Sequence, residues 1–183
     1  MYLLPSNPGE ALPADSAAQC MASTAPVRGR EARKSFGIVQ ANLLLREKMA
    51  PWIQELQLVV EACSPAGAAL RLPRSVRLLR PGSTVCGPAL MACADTAMAI
   101  AVMGRFGDFR NVATVTLNVD FMRPIAAADI IVGATVRNEG RSLVFTECNF
   151  IDSHRGAIAV HATATWAVIP ALSATSVRRE LRQ

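Results

Sequence analysis

Between Val85 and Met103 the chain reads Val85-Cys-Gly-Pro-Ala-Leu-Met-Ala-Cys-Ala-Asp95-Thr-Ala-Met-Ala-Ile-Ala-Val-Met103, a run of nineteen residues with one charge, Asp95. A helix that is apolar on every face belongs in a core. A carboxylate placed there loses its hydration, and its pKa rises unless it is paired or hydrogen-bonded. Carboxylates in that condition concentrate at catalytic sites. Two readings are therefore open for Asp95: a catalytic group, or an acid that pairs with a buried partner or faces a solvent-filled groove. The run is long enough for a bilayer span. However, it is mostly alanine, opens with Gly87-Pro88, and carries the acid at its centre, where lipid penalises it most. A buried helix of a soluble domain is expected.

The segments around it read mainly as strands. From Val112 to Met122, Val115, Leu117, Val119 and Phe121 alternate with Thr114, Thr116, Asn118 and Asp120, which predicts a strand with one buried face. Further strands are expected at 130–137, 142–151 and 157–168, the last with Ile158, Val160, Ala162, Ala164 and Trp166 on one face. Asn138-Glu-Gly-Arg141 and Asp152-Ser-His-Arg-Gly156 supply the turns between them. Upstream, Ile38, Ala41, Leu44 and Leu45 recur at helical spacing from Gly37 to about Trp52, with Pro51 as the stop. Strands are expected at 56–63 and 68–72 around a Ser64-Pro-Ala-Gly67 turn. Pro88 suits the first turn of the long helix, and Gly104 and Gly107 bracket its exit. Two strands, one buried helix and an antiparallel meander make an α+β domain in which the sheet wraps the helix.

That domain is expected over residues 36–170. Residues 1–35, rich in Ala, Pro and Ser and without periodicity, read as a flexible leader, and 171–183 as a C-terminal tail. With 51% hydrophobic and 18% charged residues the chain can bury a sizeable core. The net charge of +5 gathers at the ends, where Arg28, Arg30, Arg33, Lys34, Arg178, Arg179 and Arg182 outnumber Glu10, Asp15, Glu31 and Glu180. The body is only mildly basic, which suits an anionic small molecule and gives no ground for a nucleic-acid partner. Cys20, Cys63, Cys86, Cys93 and Cys148 are odd in number and form no C-x-x-C pair, so no disulfide framework or zinc spacing is readable. A reducing, cytoplasmic setting follows. No metal or cofactor is expected.

These residues carry a resemblance. Cys86-Gly87-Pro88 with Asp95 nine residues after Cys86, then Thr114-Val-Thr-Leu-Asn-Val-Asp-Phe-Met-Arg-Pro124, then Arg137-Asn-Glu-Gly140-Arg141-Ser-Leu, resembles the hotdog-fold acyl-CoA thioesterases of the phenylacetate-degradation type. The likeness spans roughly residues 52–168. It departs at one point: Cys86-Gly87-Pro88 stands where those proteins carry His-Gly-Gly.

The resemblance implies a hotdog fold and hydrolysis of an acyl-CoA thioester by a homodimer or homotetramer. It implies that the Gly87 N–H polarises the carbonyl and that Asp95 acts as general base or attacks directly. It also implies that Thr114 orients the water, facing Asp95 of a neighbouring chain. The chemistry fits these residue types. Helix N-terminal amides stabilise a developing oxyanion, and a glycine lets a ligand approach its amide. An ordinary strand threonine is the other reading of Thr114. Arg80, Cys86, Pro88, Gly140, Arg141 and Ser142 are the candidate contacts to CoA, with Arg71, Arg74 and Arg77 recurring at threes ahead of Arg80 on a segment that also reads as a solvated loop. Cys86, at a helix N-terminus, invites a nucleophilic role. Only His154 and His161 are available as its base, and neither has a readable link to it, so a small buried apolar residue is the preferred reading. Two other functions stay open: a non-catalytic acyl-CoA sensor, and a hotdog hydratase or dehydratase. The second is disfavoured because no His lies between Val85 and Phe150.

Overall fold

The apolar run is a single helix, and its burial sets the architecture. The computed structural model describes residues 36–126, 129–152 and 157–170; the 1–35 leader, the 171–183 tail and the expected turn around His154 lie outside them. In chain order the elements are α1 (Ile38–Glu47), α2 (Pro51–Gln54), β1 (Val59–Ser64), β2 (Gly67–Leu72), a 3-10 turn (Val76–Leu78), β3 (Leu79–Arg80), β4 (Thr84–Val85), α3 (Gly87–Phe106), β5 (Val112–Phe121), β6 (Ile130–Glu139), β7 (Leu143–Asp152) and β8 (Ala157–Val168). Six strands form one antiparallel sheet in the order β1-β2-β6-β7-β8-β5, and β3 and β4 make a separate two-residue hairpin. The sheet wraps α3, which is the hotdog arrangement that the resemblance implies.

Helix α3 is long and apolar enough to cross a bilayer, but 72% of its most apolar window is buried inside this fold. Ala94, Ala97, Met98 and Ala101 have no exposed surface. They meet Leu70, Val132, Val144, Phe150 and Val160 from the inner face of the sheet. The alanines let the strands come close. At Gly104 an added Cβ would lie 2.8 Å from the Ser64 carbonyl oxygen, so β1 packs directly on the helix backbone there. Gly104 thus belongs to the helix, and Gly107, in the left-handed conformation (φ 67°), ends it.

Three sequence expectations are corrected. Helix α1 ends at Glu47, short of the expected stop, and Pro51 instead starts α2, as a proline can at a first helical position. The first strand begins at Val59, because Leu56 and Gln57 form a turn with Gln57 at φ 54°. The third correction is in β5. Its register against β8 slips between Thr114 and Thr116, so that Thr114 is opposite Trp166 while Thr116 is opposite the adjacent Thr165. This is a bulge at Val115. It places Thr114 on the same inner face as Leu117, Val119 and Phe121, rather than opposite to them, and leaves Val115 56% exposed.

The two edges of the sheet differ. On β1, the Asn42 side chain of α1 donates to the Val60 carbonyl and accepts from the Val60 N–H, both at 3.0 Å, in the manner of a neighbouring strand. The β5 edge has no such cover among the described residues, and unpaired edges invite another strand. Two stability results follow. Phe150→Ala, at a fully buried position, should cost about 3–5 kcal/mol. Asn42→Ala should cost about 1–3 kcal/mol, by leaving two buried backbone groups unsatisfied. Urea unfolding with parallel m-values measures both; an Asn42→Ala midpoint equal to the parent's would show that the β1 edge needs no cover.

Candidate active site

A sheet wraps only part of a helix, and the uncovered stripe of α3 carries Gly87, Met91, Asp95 and Ala99, each one turn from the next. Met91 is exposed, and the other three are half-buried. Strand β5 runs back along this stripe, with Thr114 beside Asp95 and Phe121 beside Gly87. Thr114 Oγ1 donates to Asp95 Oδ1 at 2.9 Å. The Phe121 ring tip lies against Gly87, where an added Cβ would meet Cζ, Cε1 and Cε2 at 3.4–3.8 Å. The result is an open groove between helix and edge strand. A separate hollow of about 440 Å³ is lined by Pro51, Gln54, Glu55, Gln57, Ser75 and Arg77, and by none of the groove residues.

The first turn of α3 concentrates its free donors. Pro88 has no N–H, the Leu90 N–H bonds Cys86 O at 3.4 Å, and Ala89 is buried. Gly87 is left with the accessible amide at the positive end of a twenty-residue helix. Eight residues further on, Asp95 meets two opposed influences. Burial raises its pKa above the ordinary carboxylate value, and the Thr114 hydroxyl, by donating to the ionised form, lowers it; burial wins. The native state therefore holds a proton on Asp95 more tightly than the unfolded chain does. As pH rises through the window between the unfolded and the raised native pKa, stability falls, and it stays lower above that window.

Not all the sequence candidates assemble here. Asp95, Gly87 and Thr114 do. Within one chain, the Val115 bulge turns Thr114 inward onto Asp95. Cys86 is the residue before the helix, makes no side-chain cap, and packs against the core. Pro88 is exposed at the groove mouth. Arg80 is exposed on the β3–β4 hairpin that leads into Cys86. Gly140, Arg141 and Ser142 form the β6–β7 turn at the other end of the sheet, which Arg105 Nε in the last turn of α3 ties down through Glu139 Oε2 at 3.1 Å. One chain does not bring that turn to Gly87. Of the remaining arginines, Arg71 is held by Glu61 and Asp129, and Arg77 by Glu55.

His161 lies on the outer face of the sheet, its Nδ1 2.8 Å from Asn149 Oδ1, with α3 on the inner face. Cys86 therefore has no His beside it among the described residues. Cys63 and Cys93 are pushed up by burial to about 11 and about 12, which leaves both as unreactive thiols. No group of three or more His, Cys, Asp or Glu suited to a metal occurs among the described residues. Sequence reasoning assigned Phe121 to a buried strand face and passed over Met91. The signals were present: Met91 falls midway between Gly87 and Asp95 at helical spacing, and Phe121 closes the strand motif quoted above.

Comparison with known proteins addresses the same elements. Residues 82–159 match the family described as the thioesterase superfamily. A protein of Thermoplasma acidophilum named as an esterase is 26% identical over 106 residues, 58% of this chain and 80% of that protein. Among solved structures, a protein of Silicibacter sp. TM1040 named as a thioesterase is 27% identical, with a TM-score of 0.66 over 75% of this chain and 95% of that one. A thioesterase of Haemophilus influenzae superposes with a TM-score of 0.68 at 19% identity, over 77% of this chain and 96% of its own. The matched segment begins at the β3–β4 hairpin, takes in the whole of α3 and β5 and ends in β8, so the part of the chain that is similar to the thioesterase superfamily contains every residue of the Asp95 groove.

Proposed function

We propose that the chain hydrolyses acyl-CoA thioesters to free acid and CoA, with Asp95 as the group that activates or delivers the nucleophile. The observation that carries this reading is the placement of one half-buried carboxylate, held by Thr114, on the same helix stripe as the free Gly87 amide. The thioester carbonyl oxygen accepts from the Gly87 N–H, which stabilises the negative charge that develops on it. Thr114 occupies Oδ1 and leaves Oδ2 of Asp95 for chemistry. Either Oδ2 takes a proton from the water that attacks the carbonyl carbon, or it attacks that carbon itself to give a mixed anhydride that water then opens. In both routes the C–S bond breaks and CoA leaves as a thiolate that takes up a proton. A base with a raised pKa is the stronger base once ionised. The hydratase reading needs a His beside the acid, and His161 is on the wrong face of the sheet.

The working unit in this reading is a dimer joined along β5. The β1 edge is covered by Asn42 while the β5 edge is open, and Val115 and Met122 are exposed along it. A two-fold antiparallel pairing of β5 with its copy brings the Val112 end of one chain to the Phe121 end of the other. The partner's 140–142 turn, at the Val112 end, then stands near this chain's Gly87 and Arg80. This is how Arg80, Arg141 and the Cys86–Pro88 turn come to share one CoA molecule, with the arginines on its phosphates.

Four results are expected. In a thiol-release assay over short, medium, long and aromatic acyl-CoAs, Asp95→Asn should lower kcat by about two to four orders of magnitude. The same variant should unfold at a higher temperature than the parent at neutral pH, since the burial penalty on the charge is gone. A folded Asp95→Asn enzyme with parental turnover contradicts the assignment. Thr114→Val, which keeps the shape and removes the donor, should move the acid limb of kcat/KM to higher pH, because the interaction that lowers the Asp95 pKa is lost; an unmoved limb denies that role. Asp95→Asn and Arg141→Ala chains, each impaired alone, should regain activity when refolded together, because each mixed dimer holds one site with both native groups. Confirmed heterodimers no more active than the parental average would show that the site is not shared.

A further inference from the structure

We propose that Phe121 sets the acyl selectivity of this groove and restricts it to acyl groups unbranched at the carbon next to the carbonyl. The inference rests on the thioesterase reading above and adds the shape of the substrate. The three nearest atoms to a Cβ built on Gly87 all belong to the Phe121 ring, at 3.4, 3.7 and 3.8 Å, so the ring tip stands one methyl group's width from the Gly87 backbone. The far side of the same ring is open, and the residue is 50% exposed. The ring tip therefore stands as a wall beside the one accessible amide of the helix terminus, while the ring body faces the groove.

In an acyl group whose carbonyl oxygen is held by the Gly87 N–H, the α-carbon is two bonds from that oxygen and enters the groove beside this ring. Asp95 and Thr114 occupy the helix side two turns along, so the α-carbon is left to pass between the stripe at Met91 and the ring of Phe121. An unbranched methylene lies flat on the ring. A second carbon at that position points into the ring tip and meets it. Met91, exposed and unbranched, adapts to whatever lies further along the chain. The groove is therefore narrowed by a bulky ring next to the carbonyl and lined by a flexible side chain beyond it.

The direct measurement is kcat/KM for butyryl-CoA against isobutyryl-CoA, isomers that differ in where one methyl group sits. The parent should prefer butyryl-CoA, and Phe121→Ala should shift the ratio towards isobutyryl-CoA by about tenfold or more, the scale on which a pocket reads one methyl group. Phe121→Leu, which retains bulk but not the planar tip, should fall between. Circular dichroism and thermal unfolding accompany each variant; if Phe121→Ala does not fold, the Phe121→Leu ratio decides. A folded, active variant whose ratio stays within twofold of the parent's overturns the inference while leaving the thioesterase reading intact. A parent that releases no thiol from any acyl-CoA removes that reading, and the selectivity with it.

Discussion

Helix α3 has more apolar surface than one six-stranded sheet can cover, and what the sheet leaves uncovered is the stripe that bears Asp95. Every feature of the site follows from that geometry. The alanines and Gly104 let β1, β2, β6 and β7 close tightly on three sides of the helix. The fourth side meets only the edge strand β5, which lies along the stripe and is itself half-uncovered. A carboxylate in the sealed part of this core would be neutral or ion-paired; on the open stripe it keeps one face towards solvent and one towards protein. That intermediate setting raises its pKa, with the Thr114 hydrogen bond working against the rise.

The Val115 bulge completes the arrangement. A strand in strict alternation would turn Thr114 away from the helix whenever Leu117, Val119 and Phe121 face it. One extra residue restores Thr114 to the inner face, at the cost of an exposed valine on an open edge. Nothing in the alternation of the 112–122 segment announces this extra residue, because Val115 and Thr114 each suit either face of a strand. The same local ambiguity hid the β1 edge device: Asn42 reads as a polar position on a helix, and its pairing with Val60 depends on how α1 docks. What periodicity did disclose was the helix from Gly87 onward, the inner face of β8, and the antiparallel order of the meander. Those signals extend over ten residues or more and survive one local irregularity.

The site was legible to the same degree. Asp95 stands out on composition alone, as the one charge of an apolar run, and the role of Gly87 came with the resemblance. Thr114 came with the resemblance, and within one chain the Val115 bulge brings it to Asp95. The hairpin of Gly140, Arg141 and Ser142 could not be placed by reading along the sequence, since its distance from Gly87 depends on which end of the sheet each element reaches. That separation becomes intelligible once two chains are joined along β5.

The account depends on one ionisation, that of Asp95, controlling turnover. Carbon-13 NMR of the aspartate side chains, with Asp95→Asn to assign the resonance, gives its pKa directly, and kcat/KM measured across the same pH range gives the kinetic one. The two should coincide, above the ordinary carboxylate range and in the direction that burial dictates. A rate that stays flat while Asp95 titrates, or an Asp95 resonance that titrates at the ordinary carboxylate value while the rate falls elsewhere, would contradict it.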